Sequence, residues 1–200
     1  MTTKAIIFDI DGVLADSREA VVHNTIEVLT EFGFAALRKK VEGMSSAHSA
    51  ESVLIALVPM LAGDQKLLKK MLLSLSKATV KNIGLVKPAK IAGIVPGLSR
   101  KYALAAASNR KTSAMLVLEK LGLSEYFKVV VTSSDAPPKP DPKMILIALE
   151  KLGVKAEEAI FFGDNLEDLQ AGRAAGVRTV MVNCEEEGAV EKILLEIARR

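Results

Sequence analysis

Five short, unbroken apolar runs set the strongest limit on how this chain folds. The first, Ala5-Ile6-Ile7-Phe8, stops at Asp9, and similar runs occupy 103–107, 129–131, 159–162 and 179–182. Runs of this length, apolar on both faces, suit strands of a parallel sheet covered by helices on either side. Helical patterns fill the last three gaps, at 113–121, 142–152 and 166–175, and Gly122, Gly153 and Gly176 stand where helices stop. Alternation at this spacing predicts an α/β fold with a doubly wound parallel sheet.

Residues 16–88 break the alternation. They hold no convincing strand and three helical stretches, near 17–33, 47–62 and 64–82, the last with Asp64 placed to cap it. The expected organisation is a core of 1–15 and 89–200 with a small all-helical unit, 16–88, inserted after the first strand. Lys87-Pro88 and Val95-Pro96-Gly97 read as linker and turn on the way back. Only about five residues separate Gly97 from the second strand, so one sheet face is expected to be thinly covered, shielded by 87–94 or by a partner subunit.

Composition narrows the class. Half of the 200 residues are apolar, enough for a sizeable interior. The 27 basic and 24 acidic residues are interspersed, so nothing favours a nucleic-acid or membrane partner. No stretch reaches the ~18 apolar residues of a bilayer span, and no secretory leader pattern precedes the first strand. A single cysteine, Cys184, excludes an internal disulfide and fits a reducing, cytoplasmic setting. Five Asn, two Gln and no Trp give a weak hint of heat adaptation.

Four polar clusters sit just past the C-terminal ends of the strands: Asp9 with Asp11, Ser108-Asn109, Lys139, and Asp164 with Asp168. Ligands bind at that edge of open α/β sheets. The inventory suits phosphoryl transfer. Asp9 and Asp164 can serve a magnesium-type cation, which takes a few carboxylates beside water and substrate oxygens. Lys139, Ser108 and Asn109 can neutralise and bind the phosphoryl oxygens. A carboxylate such as Asp9 can attack phosphorus, and Asp11 can protonate the leaving oxygen and then activate water.

These residues also carry a resemblance. Asp9-Ile10-Asp11-Gly12-Val13-Leu14 resembles the first motif of the haloacid dehalogenase superfamily. Ser108-Asn109 resembles the second, Lys139-Pro140-Asp141-Pro142 the third, and Gly163-Asp164-Asn165-Leu166-Glu167-Asp168 the fourth. The resemblance spans nearly the whole chain, and the helical insert looks like the cap of phosphoglycolate phosphatases and β-phosphoglucomutases. It implies Asp9 as nucleophile, Asp11 as acid/base and Lys139 as the restraint on Asp9, with Gly12, Ser108 and Asn109 binding phosphate. It also implies Mg²⁺ held by Asp9, the Asp11 carbonyl and Asp164, with Asp168 in the same group, and a small phosphorylated metabolite as substrate. Ser45 and Ser46 stand in the loop that resembles the cap's specificity loop, where the mutase pattern has an arginine.

Other residues have plainer readings. His23 fits a helix surface, His48 a solvated helix start, and Arg38-Lys39-Lys40 a solvated face. The seven Met residues fit core filling, and Glu185-Glu186-Glu187 fits the start of a last helix. Arg110 receives no assignment. A metabolite phosphatase, monomeric or homodimeric, is the leading expectation. A phosphomutase, a family member that kept the fold without the chemistry, and a phospho-acceptor domain are the alternatives.

Overall fold

The computed structural model describes residues 2–45 and 49–199. Two compact units emerge, one of 1–16 with 87–200 and one of 17–86. In the first, β1 (Ala5–Phe8), β4 (Ala103–Ser108), β5 (Val129–Thr132), β6 (Ala159–Gly163) and β7 (Arg178–Met181) form one parallel sheet in the order β5-β4-β1-β6-β7. Each strand lies within a residue or two of its apolar run. The central strand pairs on both sides, Ala5 opposite Ala103 and Ala159, and all four of its side chains are buried.

Alternation along the strands divides the core between two faces. One face carries Ala5, Ile7, Ala105, Ala107, Val131 and Phe161, packed with Met144, Ile145 and Ala148 of α7 (Lys143–Leu152) and Ala171 of α8 (Leu166–Ala174). On the other, Phe8 stacks on Phe162 at 5.5 Å and meets the edge of Phe127 at 6.3 Å. Ala105 and Ala107 of β4 share this layer with α7, and at interior packing density the small side chains leave room for its larger Met and Ile.

Val95-Pro96-Gly97, read from the sequence as a turn, instead lies inside a five-residue helix, α5 (Val95–Ser99), which forms the short crossover to β4. A 3-10 turn over Lys90–Ile94 buries Ile91 and Ala92 and packs against both α5 and α9 (Ala189–Ala198). After β4, α6 (Ser113–Lys120) buries Ala114, Val117 and Leu118. Gly122, Gly153 and Gly176 have φ of +69°, +66° and +72°, the left-handed conformation that ends a helix at low steric cost.

Three other readings of the sequence need correction. Ala15–Asp16 (β2) and Lys87–Pro88 (β3) pair as a short antiparallel ladder, so Asp16, Lys87 and Pro88 belong to the first unit rather than the helical one. Two-residue strands leave no periodicity to read, and the Pro in β3 argued for a linker. The Glu185-Glu186-Glu187 run lies in a turn, and α9 begins only after Gly188, whose φ of +82° breaks the helix before it. Met71 and Met144 do fill the cores, yet Met60 and Met115 are largely exposed.

The second unit holds α1 (Arg18–Glu31), α2 (Arg38–Ser45), α3 (Ala50–Leu57) and α4 (Gln65–Lys81). Val28 and Leu29 of α1, Leu54 of α3, and Leu68, Met71 and Ala78 of α4 share its core with Leu61. Asp64 caps α4 by accepting the Leu67 N–H at 2.9 Å, as its position predicts. Helix α2 escaped the sequence reading because its eight residues, RKKVEGMS, are mostly polar and include a glycine.

Helix α8 touches β7 through a glycine. A Cβ on Gly172 would lie 1.9 Å from Thr179 Oγ1 and 3.1 Å from Phe161 Cδ1. Alanine gains up to about 1 kcal/mol of helix propensity over glycine, whereas overpacking costs about 1–3 kcal/mol. Gly172→Ala is therefore expected to lower stability by about 1–2 kcal/mol in urea unfolding, and an unchanged or raised midpoint would contradict this packing.

Candidate active site

The loops that leave β1, β4 and β6, joined by the one carrying Lys139, bring the site residues of the first unit together. Asp9 follows β1 directly, and its N–H donates to the Phe162 carbonyl at 2.8 Å, so its backbone continues the ladder with β6. Asp9 is only 4% exposed. Lys139, 3% exposed, reaches it from the loop after β5.

The Lys139 ammonium donates two hydrogen bonds and forms a further ion pair. It lies 2.7 Å from Asp9 Oδ1, 2.9 Å from the Ala107 carbonyl and 2.5 Å from Asp168 Oδ1. Burial pulls its pKa down, but Asp9 and then Asp168 outweigh this and hold it above the ordinary lysine range. Asp9 is pushed well up, by burial first and by the nearby Asp168 and Asp11, with Lys139 opposing. Two carboxylates thus share one cation in a dry setting.

Asp168 is fully buried. While Oδ1 meets Lys139, Oδ2 accepts the N–H groups of Asp164 at 3.0 Å and Asn165 at 3.3 Å. Asn165 returns the contact by accepting the Asp168 N–H at 3.0 Å, which makes a capping box at the start of α8. So one carboxylate orients Lys139 and also shapes the loop that presents Asp164. A Cβ on Gly163 would come within 2.3 Å of Asp168, so the strand must end in glycine for this carboxylate to fit.

Asp164 is partly exposed, and Asn165 Nδ2 donates to its Oδ1 at 3.0 Å. Burial, with Asp168 second, raises its pKa to about 6. Ligand atoms of Asp9, Asp164 and Asp168 all lie within 4.8 Å of one another, so this group could hold a cation. The donors are hard oxygens with an excess of negative charge, which fits a divalent ion of the magnesium type. A Cβ on Gly12 would sit 1.9 Å from Asp164 Oδ2, so glycine leaves the space this carboxylate needs. Gly12 has φ of +76°. Its N–H donates to the Ala15 carbonyl at 2.9 Å, so that donor is engaged within the loop rather than directed at phosphate.

Ser108, at the end of β4, is 1% exposed, and its Oγ accepts the Arg110 N–H at 3.2 Å, which leaves the hydroxyl proton to donate. Asn109 is a cross-brace. Its Oδ1 accepts the Lys139 N–H at 2.7 Å, while Nδ2 donates to the Lys139 carbonyl at 3.2 Å and to Glu167 at 3.1 Å. The side chain expected to touch phosphate is committed to positioning the lysine loop.

The sequence reading passed over Arg110. Its guanidinium grips Asp11 in a fork, Nε to Oδ2 and Nη2 to Oδ1, both at 2.7 Å, and Nη1 donates to Ser113 Oγ at 3.2 Å. The available signal was its position directly after Ser108-Asn109, at the same strand end as the other clusters. Of the residues expected in the helical unit, Ser45 is the last residue of α2, and Ser46 and His48 lie outside the described residues. His23 is half exposed on α1, 3.8 Å from Glu27.

The raised Asp164 pKa has a consequence for stability. An unfolded aspartate ionises near 3.9, so without a cation the folded chain bears a cost above about pH 6 that vanishes below about pH 4. Asp164→Asn removes the charge. In chelator it is expected to stabilise the protein by about 1–2 kcal/mol at pH 8, after discounting for partial exposure, and by much less at pH 4. Equal effects at both pH values in denaturant unfolding would contradict the assignment.

Comparison with known proteins agrees with this geometry. The family model of haloacid dehalogenase-like hydrolases matches residues 6–182. A phosphoglycolate phosphatase of Nitrosospira multiformis is 29% identical over 182 residues, covering 86% of this chain and 80% of that protein. The pyrophosphatase PpaX of Bacillus velezensis is 42% identical over 73 residues, but the match spans only 36% of this chain and 34% of PpaX. A crystal structure of a HAD-superfamily hydrolase, subfamily IA, from Geobacter sulfurreducens superposes with a TM-score of 0.77 at 26% identity, covering 96% of each chain. With its sheet, its strand-end carboxylates and its matched span in accord, the chain belongs to the haloacid dehalogenase-like hydrolase family.

Proposed function

We propose that the chain is a magnesium-dependent phosphomonoester hydrolase that works through an aspartyl-phosphate on Asp9, with a small, phosphoglycolate-like metabolite as substrate. The observation that carries this reading is the buried Asp9 carboxylate, anchored through Oδ1 by Lys139 and grouped with Asp164. A helix cap or a surface loop carboxylate has no reason to be held this way. The relatives named phosphoglycolate phosphatase support the substrate class.

The residues divide the work as follows. Lys139 takes one oxygen of Asp9 and leaves the other to attack phosphorus. Ser108 donates its hydroxyl to a phosphoryl oxygen, and Asp11 gives a proton to the departing oxygen. Water then attacks the phosphorus of the aspartyl-phosphate on Asp9, with Asp11 accepting its proton. Mg²⁺, held by Asp9, the Asp11 carbonyl and Asp164, would neutralise charge on the phosphoryl oxygens and orient them. Asp168 and Asn109 keep Lys139 and Asp164 in place, which is the preorganisation such electrostatic catalysis requires. In this reading the helical unit, with Ser45 and Ser46, selects the substrate, and the chain works in a reducing aqueous compartment.

A panel of small phosphorylated metabolites, assayed for phosphate release with Mg²⁺ and with excess chelator, tests the class. Release is expected only with the metal, and Asp9→Asn should lower it by roughly 10⁴-fold or more without unfolding the protein. Substantial turnover in that variant would overturn the nucleophile, and phosphate that stays on the substrate would mean a mutase.

A further inference from the structure

The Arg110–Asp11 fork is the best-defined feature of the site that the proposed chemistry leaves unexplained. Two parallel N–H···O contacts of 2.7 Å reach both oxygens of Asp11, so the carboxylate is held in one orientation. Arg110 is itself fixed. Its side chain is 11% exposed, its Nη1 donates to Ser113, its N–H donates to Ser108, and its carbonyl accepts the Ser133 N–H at 3.0 Å. Asp11 stays 39% exposed, so water can reach it while the arginine grips it from the inner side.

We propose that Arg110 is a positioning residue for the second half of the reaction, fixing Asp11 as the base that activates water against the aspartyl-phosphate on Asp9. This rests on the hydrolase reading above. In that step the water oxygen forms a bond to phosphorus as the bond between phosphorus and the Asp9 oxygen breaks. The bonding pair returns to the Asp9 carboxylate, the water proton passes to Asp11, and inorganic phosphate leaves. A base gripped at both oxygens keeps its direction through this transfer, which is where orientation contributes to rate. The first half, in which Asp11 donates a proton, depends less on the fork when the leaving group is already a weak base.

Rapid mixing of the full chain with p-nitrophenyl phosphate and Mg²⁺ separates the two halves, because p-nitrophenolate departs without needing a proton. Arg110→Ala is expected to release about one p-nitrophenolate per chain in a fast phase, followed by a steady rate at least ~10-fold below wild type. Arg110→Lys, which offers a point charge in place of a fork, should recover only part of the steady rate. If the fast phase and the steady rate fall together, or if neither changes, the positioning role is wrong. A wild-type chain that releases no p-nitrophenolate overturns the hydrolase reading itself and this proposal with it.

Discussion

The buried ammonium of Lys139 is the contact on which the rest of the site depends. Its three partners come from three strand ends: Asp9 after β1, the Ala107 carbonyl in β4, and Asp168 in α8 after β6. An ammonium this deep is costly unless its attractions are well aligned, and removal of one partner from such a pair typically costs about 3–5 kcal/mol. The chain meets that demand with geometry. Asn109 clamps the Lys139 backbone from both sides, and the Phe161 ring lies 5.5 Å below the ammonium.

Charge balance then explains why the site suits a cation. Asp9, Asp164 and Asp168 bring three carboxylates to a single lysine, while Asp11 has its own partner in Arg110. The excess negative charge shows in the raised pKa values of Asp9 and Asp164, with burial the larger cause in both. A divalent cation would relieve both at once, and it would leave Asp168 to its work on Lys139 and the Asp164 loop. Glycines make this crowding sterically possible, since Gly12 gives way to Asp164 and Gly163 to Asp168.

Much of this was legible in the sequence because it is local. Apolar runs of three to five residues mark the parallel strands, and polar residues at their ends mark the site edge. Helix ends at Gly122, Gly153 and Gly176 follow from the same kind of local rule. What escaped depends on contacts far apart in the chain. The β2–β3 ladder joins residues over 70 positions apart and has too few residues for a pattern. The Arg110–Asp11 fork spans 99 positions, and nothing in either neighbourhood names the other. The contacts that Asn109 and Gly12 make, a backbone clamp and a steric gap, cannot be read from residue type.

The most direct test of this account is a Mg²⁺ titration followed by thermal unfolding at pH 7.5, with the full chain and its Asp164→Asn variant. Saturating a site at about 100 times its Kd adds about 2.7 kcal/mol, which for a chain of this size corresponds to a rise of roughly 5–10 °C. The account predicts such a rise in the wild-type protein and its loss in the variant. A wild-type melting temperature that does not respond to Mg²⁺ would contradict the claim that the carboxylates of Asp9 and Asp164 form a cation site.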